Sequence, residues 1–237
     1  MIEVNNLNKV TESAVLLIDK PYGWTSFDVV GKIRVLIRQL TGERNVKVGH
    51  AGTLDPLATG LLIICTGKAT KQSSALMSEN KEYVATLKLG ETTPSFDLET
   101  EPDAQYPTNH ITAELINRTI SDMIGKQEQT PPLFSAKYIN GKRAYKYARK
   151  GVDVELEPVP IEIFNMEIIS FETPLLKLKI SCSKGTYIRA LARDIGQKLE
   201  SGAHLVELRR TASGTFNIGQ ALTVNDIEKN FLSMRNQ

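Results

Sequence analysis

Residues 50–60, His-Ala-Gly-Thr-Leu-Asp-Pro-Leu-Ala-Thr-Gly, set one carboxylate, Asp55, among glycines, small polar residues and a proline. An aspartate before proline commonly bonds its own backbone as a turn residue, and on that reading Asp55 only shapes the loop. A second reading gives it chemistry. Gly52, Ala58 and Gly60 carry little or no side chain, so another molecule can approach the backbone closely and reach the acid. Elsewhere the chain supplies two residues of types that work beside a carboxylate: an aromatic at the start of a strand-like run, Tyr83, and an arginine at the start of a helix-like run, Arg189. Spacing alone leaves both readings of Asp55 open.

Other sites are excluded by their spacing. Gly60 and the pair Gly67-Lys68 suggest a phosphate loop, but six residues separate the glycines instead of four, and Ala69 stands where a Ser or Thr would bind magnesium. His50, His110 and His204 lie far apart, without a His/Glu or Cys/His cluster, so no metal site is expected. His204 is read as structural. Cys65 and Cys182 each fall in an apolar, strand-like run, which suits buried thiols better than a disulfide or redox pair.

The elements that must position these residues are legible from periodicity. Residues 15–19, VLLID, read as a buried strand, followed by the turn KPYGWTS. Thr25 and Asp28 fit a capping box, and Phe27, Val30, Ile33, Ile37 and Leu40 recur at helical spacing until Gly42. LLIICTG (61–67) reads as a strand directly after the Asp55 loop. In KEYVATLKLG, Tyr83, Ala85, Leu87 and Leu89 alternate with their neighbours, as they do when one strand face meets a core. Residues 91–109 read as a loop and 112–124 as a helix capped by Thr112. LLKLKISCS (175–183) alternates again, with Leu176, Leu178, Ile180 and Cys182 on one face. It runs through Gly185 into a helix carrying Ile188, Leu191, Ala192, Ile195 and Leu199. Strands and helices mix without a regular βαβ repeat, so the fold class is α+β with a largely antiparallel sheet.

The 237 residues, 41% apolar and 24% charged, have ordinary globular composition. No apolar run approaches the roughly 20 residues that span a bilayer, and the N-terminus lacks the order of a signal peptide, so a soluble cytoplasmic protein is expected. The net charge is +2, but its distribution is uneven. From Lys137 to Lys150 there are six Lys or Arg, no acid and three tyrosines, among them Lys142, Arg143 and Lys146. Cations interleaved with aromatics can contact phosphates and stack on bases; the same pattern also occurs on a solvated helix face.

Six blocks of the chain together carry a resemblance. LLIDKPYGWTS, HAGTLDPLATGLL, KEYVATLKLGETT, QTPPLFSAKYINGKRAYKYARKG, CSKGTYIRALARDIG and AHLVELRRTASG, in this order from about residue 15 to about residue 215, resemble the bacterial TruB family of tRNA pseudouridine synthases. The resemblance implies a pseudouridine synthase fold in one catalytic domain, 1–237, with a mixed central sheet and an inserted RNA-gripping thumb at about 125–152. It implies action on the uridine at position 55 in the T loop of tRNA, with the base flipped out of the RNA to reach a buried acid. By the same resemblance Asp55 is the catalytic aspartate, Tyr83 stacks on the displaced base, and Arg189 pairs with the aspartate. Leu208 lines the uracil pocket. His50, Lys20 and Tyr187 occupy motif positions near the site, with roles in RNA binding or support, and the basic segment with Lys142, Arg143 and Lys146 matches the thumb.

The implied rearrangement detaches uracil, turns it and rejoins it through carbon 5, with no net redox change, so no cofactor and no metal is expected. A tRNA T stem-loop is the expected partner, with no membrane, no obligate protein partner and a monomeric state. Two departures from the family are visible. About twenty residues follow Gly214, too few for the C-terminal PUA module of many members. After Tyr83, where the family often closes a Thr/Asp-rich stretch with glycine, this chain has FDLETEP with Thr100. The rival reading is a catalytically silent tRNA-binding or tRNA-folding module on the same scaffold. A nucleoside or glycoside hydrolase would need a second carboxylate or an activated water, for which no motif is present.

Overall fold

The structure is a computed structural model that describes residues 2–135, 137–139, 141–152 and 154–235. In chain order the elements are β1 (Ser13–Lys20), α1 (Ser26–Thr41), β2 (Val48–His50), β3 (Thr59–Gly67), α2 (Ser73–Ser78), β4 (Lys81–Leu89), β5 (Glu91–Thr92) and β6 (Ala104–Gln105). They continue with α3 (Ala113–Ser121), β7 (Gly125–Gln129), β8 (Tyr138–Ile139), β9 (Lys142–Arg143), α4 (Tyr145–Ala148), β10 (Val159–Glu172) and β11 (Leu175–Cys182). The last are α5 (Ile188–Lys198), β12 (Ala203–Ser213), β13 (Phe216–Asn217), β14 (Leu222–Thr223) and α6 (Val224–Arg235). The chain divides into two compact units, Met1–Tyr83 with Leu208–Gln237, and Val84–Glu207, so β4 and β12 each contribute residues to both.

In the first unit the strand order is β14-β1-β3-β12, with β2 on β3 and β13 on β12. β1 and β3 are antiparallel with Leu17 opposite Ile63, whereas β14 runs parallel to β1 and β12 parallel to β3. β1 and β3 are almost wholly apolar because both faces are covered. Val15, Leu17, Leu61, Ile63 and Cys65 join Leu76 and Phe216 in one cluster, and the alternate residues Leu16, Ile18, Leu62 and Ile64 have no exposed surface either. The α1 helix begins at a capping box in which Thr25 accepts from the Asp28 amide and the Asp28 side chain accepts from the Thr25 amide, and Gly42 ends it in a left-handed turn. Val29, Val30, Ile33, Leu36 and Ile37 are buried. Phe27, expected on that apolar stripe, is 65% exposed. At 100° per residue it stands about 120° around the helix from Ile33, off the buried arc.

In the second unit β4, β11, β10 and β7 are consecutive neighbours, with β10 antiparallel to both β11 and β7. The expected face of β11 is present, with Leu176, Leu178, Ile180 and Cys182 all at zero exposure. Residues 125–129 form β7 on the edge of this sheet, and the hairpin β8–β9 follows the Pro131-Pro132 pair. Residues 91–109, expected as plain loop, contain the short pair β5–β6 and bury Thr93, Ser95 and Asp97. Cys65 and Cys182 are both buried and neither is in a disulfide.

Candidate functional site

Asp55 sits between β2 and β3 on a loop whose backbone is tied down on each side of it. Before it, the Ser26 hydroxyl accepts from the Leu54 amide at 2.8 Å and donates to the Leu54 carbonyl at 3.0 Å, while the Leu54 side chain is buried. After it, the Pro56 carbonyl accepts from the Gly23 amide at 2.9 Å and from the Lys20 ammonium at 3.3 Å. Asp55 closes a turn by accepting the Ala58 amide through its own carbonyl at 3.1 Å, so the turn reading holds for its backbone. Its side chain is partly exposed between two fixed neighbours.

Two buried cations brace this loop. Lys20 has no exposed surface, and its Nζ donates to the Pro21 carbonyl at 3.0 Å and the Trp24 carbonyl at 2.6 Å as well as to Pro56. Burial lowers its pKa to about 8, an effect opposed by the attraction of Asp55 and helped by the repulsion of Arg210. A fully buried ammonium bonded to backbone supports the loop; of the two roles expected for Lys20, RNA binding does not fit its burial. Arg210, 1% exposed, donates from Nε to the Leu61 carbonyl at 2.6 Å and from a terminal nitrogen to the Gly52 carbonyl at 3.1 Å. One guanidinium thereby spans the two ends of the Asp55 loop, using the fork geometry that lysine lacks.

His50 ends β2 opposite Ile64. Its Nδ1 is buried with no hydrogen-bond partner among the described residues. Burial and the charge of Arg210 lower its pKa, which keeps the ring neutral at pH 7. Tyr83 lies on the buried face of β4 at 8% exposure, and Leu208 is half-buried on β12 with its carbonyl accepting from Thr59 Oγ1 at 3.4 Å. Asp55, Tyr83, Leu208, His50 and Lys20 therefore all belong to the first unit.

Arg189, Tyr187 and the basic segment belong to the second unit. Arg189 is 5% exposed in the first turn of α5. It donates to the Ser95 carbonyl at 3.1 Å and the Phe134 carbonyl at 2.9 Å, and its Nε stands 3.5 Å from a carboxylate oxygen of Asp97. Tyr187 is the N-cap residue of α5, and the buried Gln129 side chain accepts its amide at 2.9 Å and donates to its carbonyl at 3.2 Å. Lys142 and Lys146 are exposed, whereas Arg143 lies with its guanidinium 4.1 Å over the ring of Tyr138. The Ser135 carbonyl accepts from the Tyr145 amide at 3.0 Å, which ties the base of the hairpin to the segment that holds Arg189.

Sequence reasoning missed Ser26, Asp97, Gln129 and Arg210. Asp97 had a faint signal in the small polar residues before it: the hydroxyls of Thr93 and Ser95 both donate to its carbonyl. Thr100, which stands where the family often has glycine, closes the same turn by bonding the amide and hydroxyl of Ser95. Arg210 had none, because its partners are backbone carbonyls 149 and 158 residues away.

Comparison with known proteins gives this site its family. Residues 38–188 match the N-terminal domain of TruB family pseudouridylate synthases, and residues 189–237 match the C-terminal domain of tRNA pseudouridylate synthase B. The chain belongs to the TruB family. It is 56% identical over 213 residues to the tRNA pseudouridine synthase B of Phocaeicola vulgatus, covering 90% of this chain and 91% of that one. It is 47% identical to the protein of the same name from Flavobacterium johnsoniae, covering 92% of this chain and 96% of that one. Among solved structures, this TruB family chain is similar to one of a Cbf5-Nop10-Gar1 complex, at 28% identity and a TM-score of 0.71 over 96% of its length. It is also similar to one of an H/ACA RNP bound to a substrate RNA containing 2'-deoxyuridine, at 26% identity and a TM-score of 0.70 over 97% of its length. It spans 60% and 56% of those two chains. The expected α+β pseudouridine synthase fold stands on these likenesses.

Proposed function

We propose that this protein isomerises uridine to pseudouridine in tRNA, at position 55 of the T loop, with Asp55 as the catalytic residue. The observation that carries the reading is the Asp55 loop: a carboxylate left partly exposed while the residues before and after it are pinned by Ser26, Gly23 and Lys20. Such a carboxylate reaches a substrate without reorganising. It serves as a nucleophile toward the sugar carbon or the uracil ring, or as a base in an elimination. Tyr83, Leu208 and Arg189 take the roles that the resemblance gives them. The neutral ring of His50 suits contact with a nucleobase, and the target nucleotide must leave its stack to meet the acid. The exposed cations of the 137–150 segment suit phosphate contacts. The rearrangement exchanges no electrons and no group with a third molecule, so it runs on the chain's own residues. Cytoplasmic location and a monomeric state belong to the same proposal; no helix among the described residues is long and apolar enough to cross a membrane.

The test is to incubate the protein with unmodified tRNA, without added metal or nucleotide, and map pseudouridine. Asp55→Asn keeps size and removes charge, so it is expected to abolish product while tRNA binding stays within a few-fold. Turnover above a few per cent of wild type in that variant overturns Asp55 as the catalyst. Wild-type binding without product supports the silent RNA-binding module instead.

A further inference from the structure

The outward side of α1 carries a surface that the catalytic loop does not use. The helix starts on that loop through the Ser26–Leu54 bonds and runs 16 residues, about 24 Å, away from it. Phe27, Gly31, Arg34 and Arg38 are spaced by four, three and four residues, so they form one line along the side opposite the core. Phe27 is 65% exposed and Tyr22, in the turn that holds Pro56, is 60% exposed. Nothing lies within 4 Å of where a Gly31 side chain would begin, which leaves open space between the aromatic and the cations. Arg34 is fixed twice: its guanidinium stands 5.6 Å over the Phe27 ring, and a terminal nitrogen donates to the Val48 carbonyl at 2.7 Å.

Charge accumulates along the same path. Residues 22–47 hold five Lys or Arg against Asp28 and Glu43, a net +3 in a chain whose total is +2. Asp28 is committed to the capping box and Lys32 to Glu228 at 2.7 Å, while Arg38, Arg44 and Lys47 are exposed. A positive line that begins with two exposed aromatic rings fits a nucleic-acid strand, with bases over the rings and phosphates along the cations. A second copy of this chain would bring the same positive charge to the surface and be repelled.

We propose that the Phe27–Arg34–Arg38 line of α1, continued by Arg44 and Lys47, is an RNA-binding track that takes phosphates of the substrate RNA, reaching at Arg38 about 18 Å along the helix from its Ser26 end. This rests on the tRNA reading above and adds a second contact, separate from the loop that receives the base.

The experiment measures full-length tRNA binding against salt concentration for three proteins. The track variant is Arg38→Gln with Arg44→Gln and Lys47→Gln. The control is Arg118→Gln with Lys126→Gln and Lys198→Gln, which removes as many exposed cations from the second unit. The track variant is expected to weaken binding about tenfold or more at low salt and lower the slope of log K against log salt by about two to three, while the control changes little. Phe27→Ala, in a separate protein, is expected to weaken binding severalfold with the slope unchanged, since stacking releases no counterions. An unchanged slope in the track variant, or an equal loss in the control, overturns the proposal. So does a wild-type dimer that the track variant dissolves in sedimentation. If wild type binds tRNA without forming pseudouridine, the catalytic reading falls while the track is still decided by these slopes.

Discussion

Lys20 concentrates the physics of this site in one side chain. A lysine taken fully out of water loses its hydration, and three backbone carbonyls replace only part of it, so its folded pKa of about 8 lies below the roughly 10.4 of an exposed lysine. Between about pH 8 and pH 10.4 the unfolded chain therefore holds a proton that the folded chain does not, and this group makes stability rise with pH across that window. Below about pH 8 both states are protonated and the contribution is level. Lys20→Met removes this dependence along with the three bonds. Denaturation of both proteins at pH 7, 8.5 and 10 should show the stability difference moving in favour of wild type as pH rises; a difference constant with pH would show that Lys20 does not titrate in that range.

The strands around the Asp55 loop are set by a close approach that only glycine allows. Gly60 pairs with Arg210 in the parallel β3–β12 register and has a φ of 103°. A side chain built there would begin 2.3 Å from the Arg210 carbonyl oxygen. Gly60→Ala therefore strains the backbone and pushes apart the two strands whose contact lets Arg210 reach Gly52 and Leu61. It is expected to cost on the order of 1–3 kcal/mol of stability. Because the displacement is felt at the ends of the Asp55 loop, the rate of pseudouridine formation should, on the proposed role of Asp55, fall further than tRNA affinity. Chemical denaturation and single-turnover kinetics on the same variant check both, and unchanged kinetics in a destabilised protein would separate the strand contact from the loop.

For the molecule as a whole, a net charge of +2 understates how it meets RNA, because cations are gathered in segments. Neutralising Lys142, Arg143 and Lys146 together should weaken tRNA binding and flatten its salt dependence. Arg143 also stands over the ring of Tyr138, a residue that remains 62% exposed, so Arg143 alone is expected to matter more than either lysine. The measurement is binding against salt for the triple variant and for each single variant, and an unchanged slope in the triple variant would remove the segment from the RNA contacts.

Continuous apolar runs were enough to find β1 and β3, which are covered on both faces, and periodicity was enough to find α1, β4, β11 and α5, each of which turns one face to a core. The Asp55 loop was legible for the same kind of reason, since a lone acid among glycines and a proline is a local pattern. Phe27 marks the limit of that reasoning. Its apolar character matched the helical stripe, but the stripe's width is set by what packs against it. The bracing of the site was not legible at all. Arg210, Asp97 and Gln129 act through backbone carbonyls, backbone amides and one buried ion pair that folding brings together from distant parts of the chain. A carbonyl has no side-chain identity for the sequence to display, so its choice of partner exists only once the chain has packed.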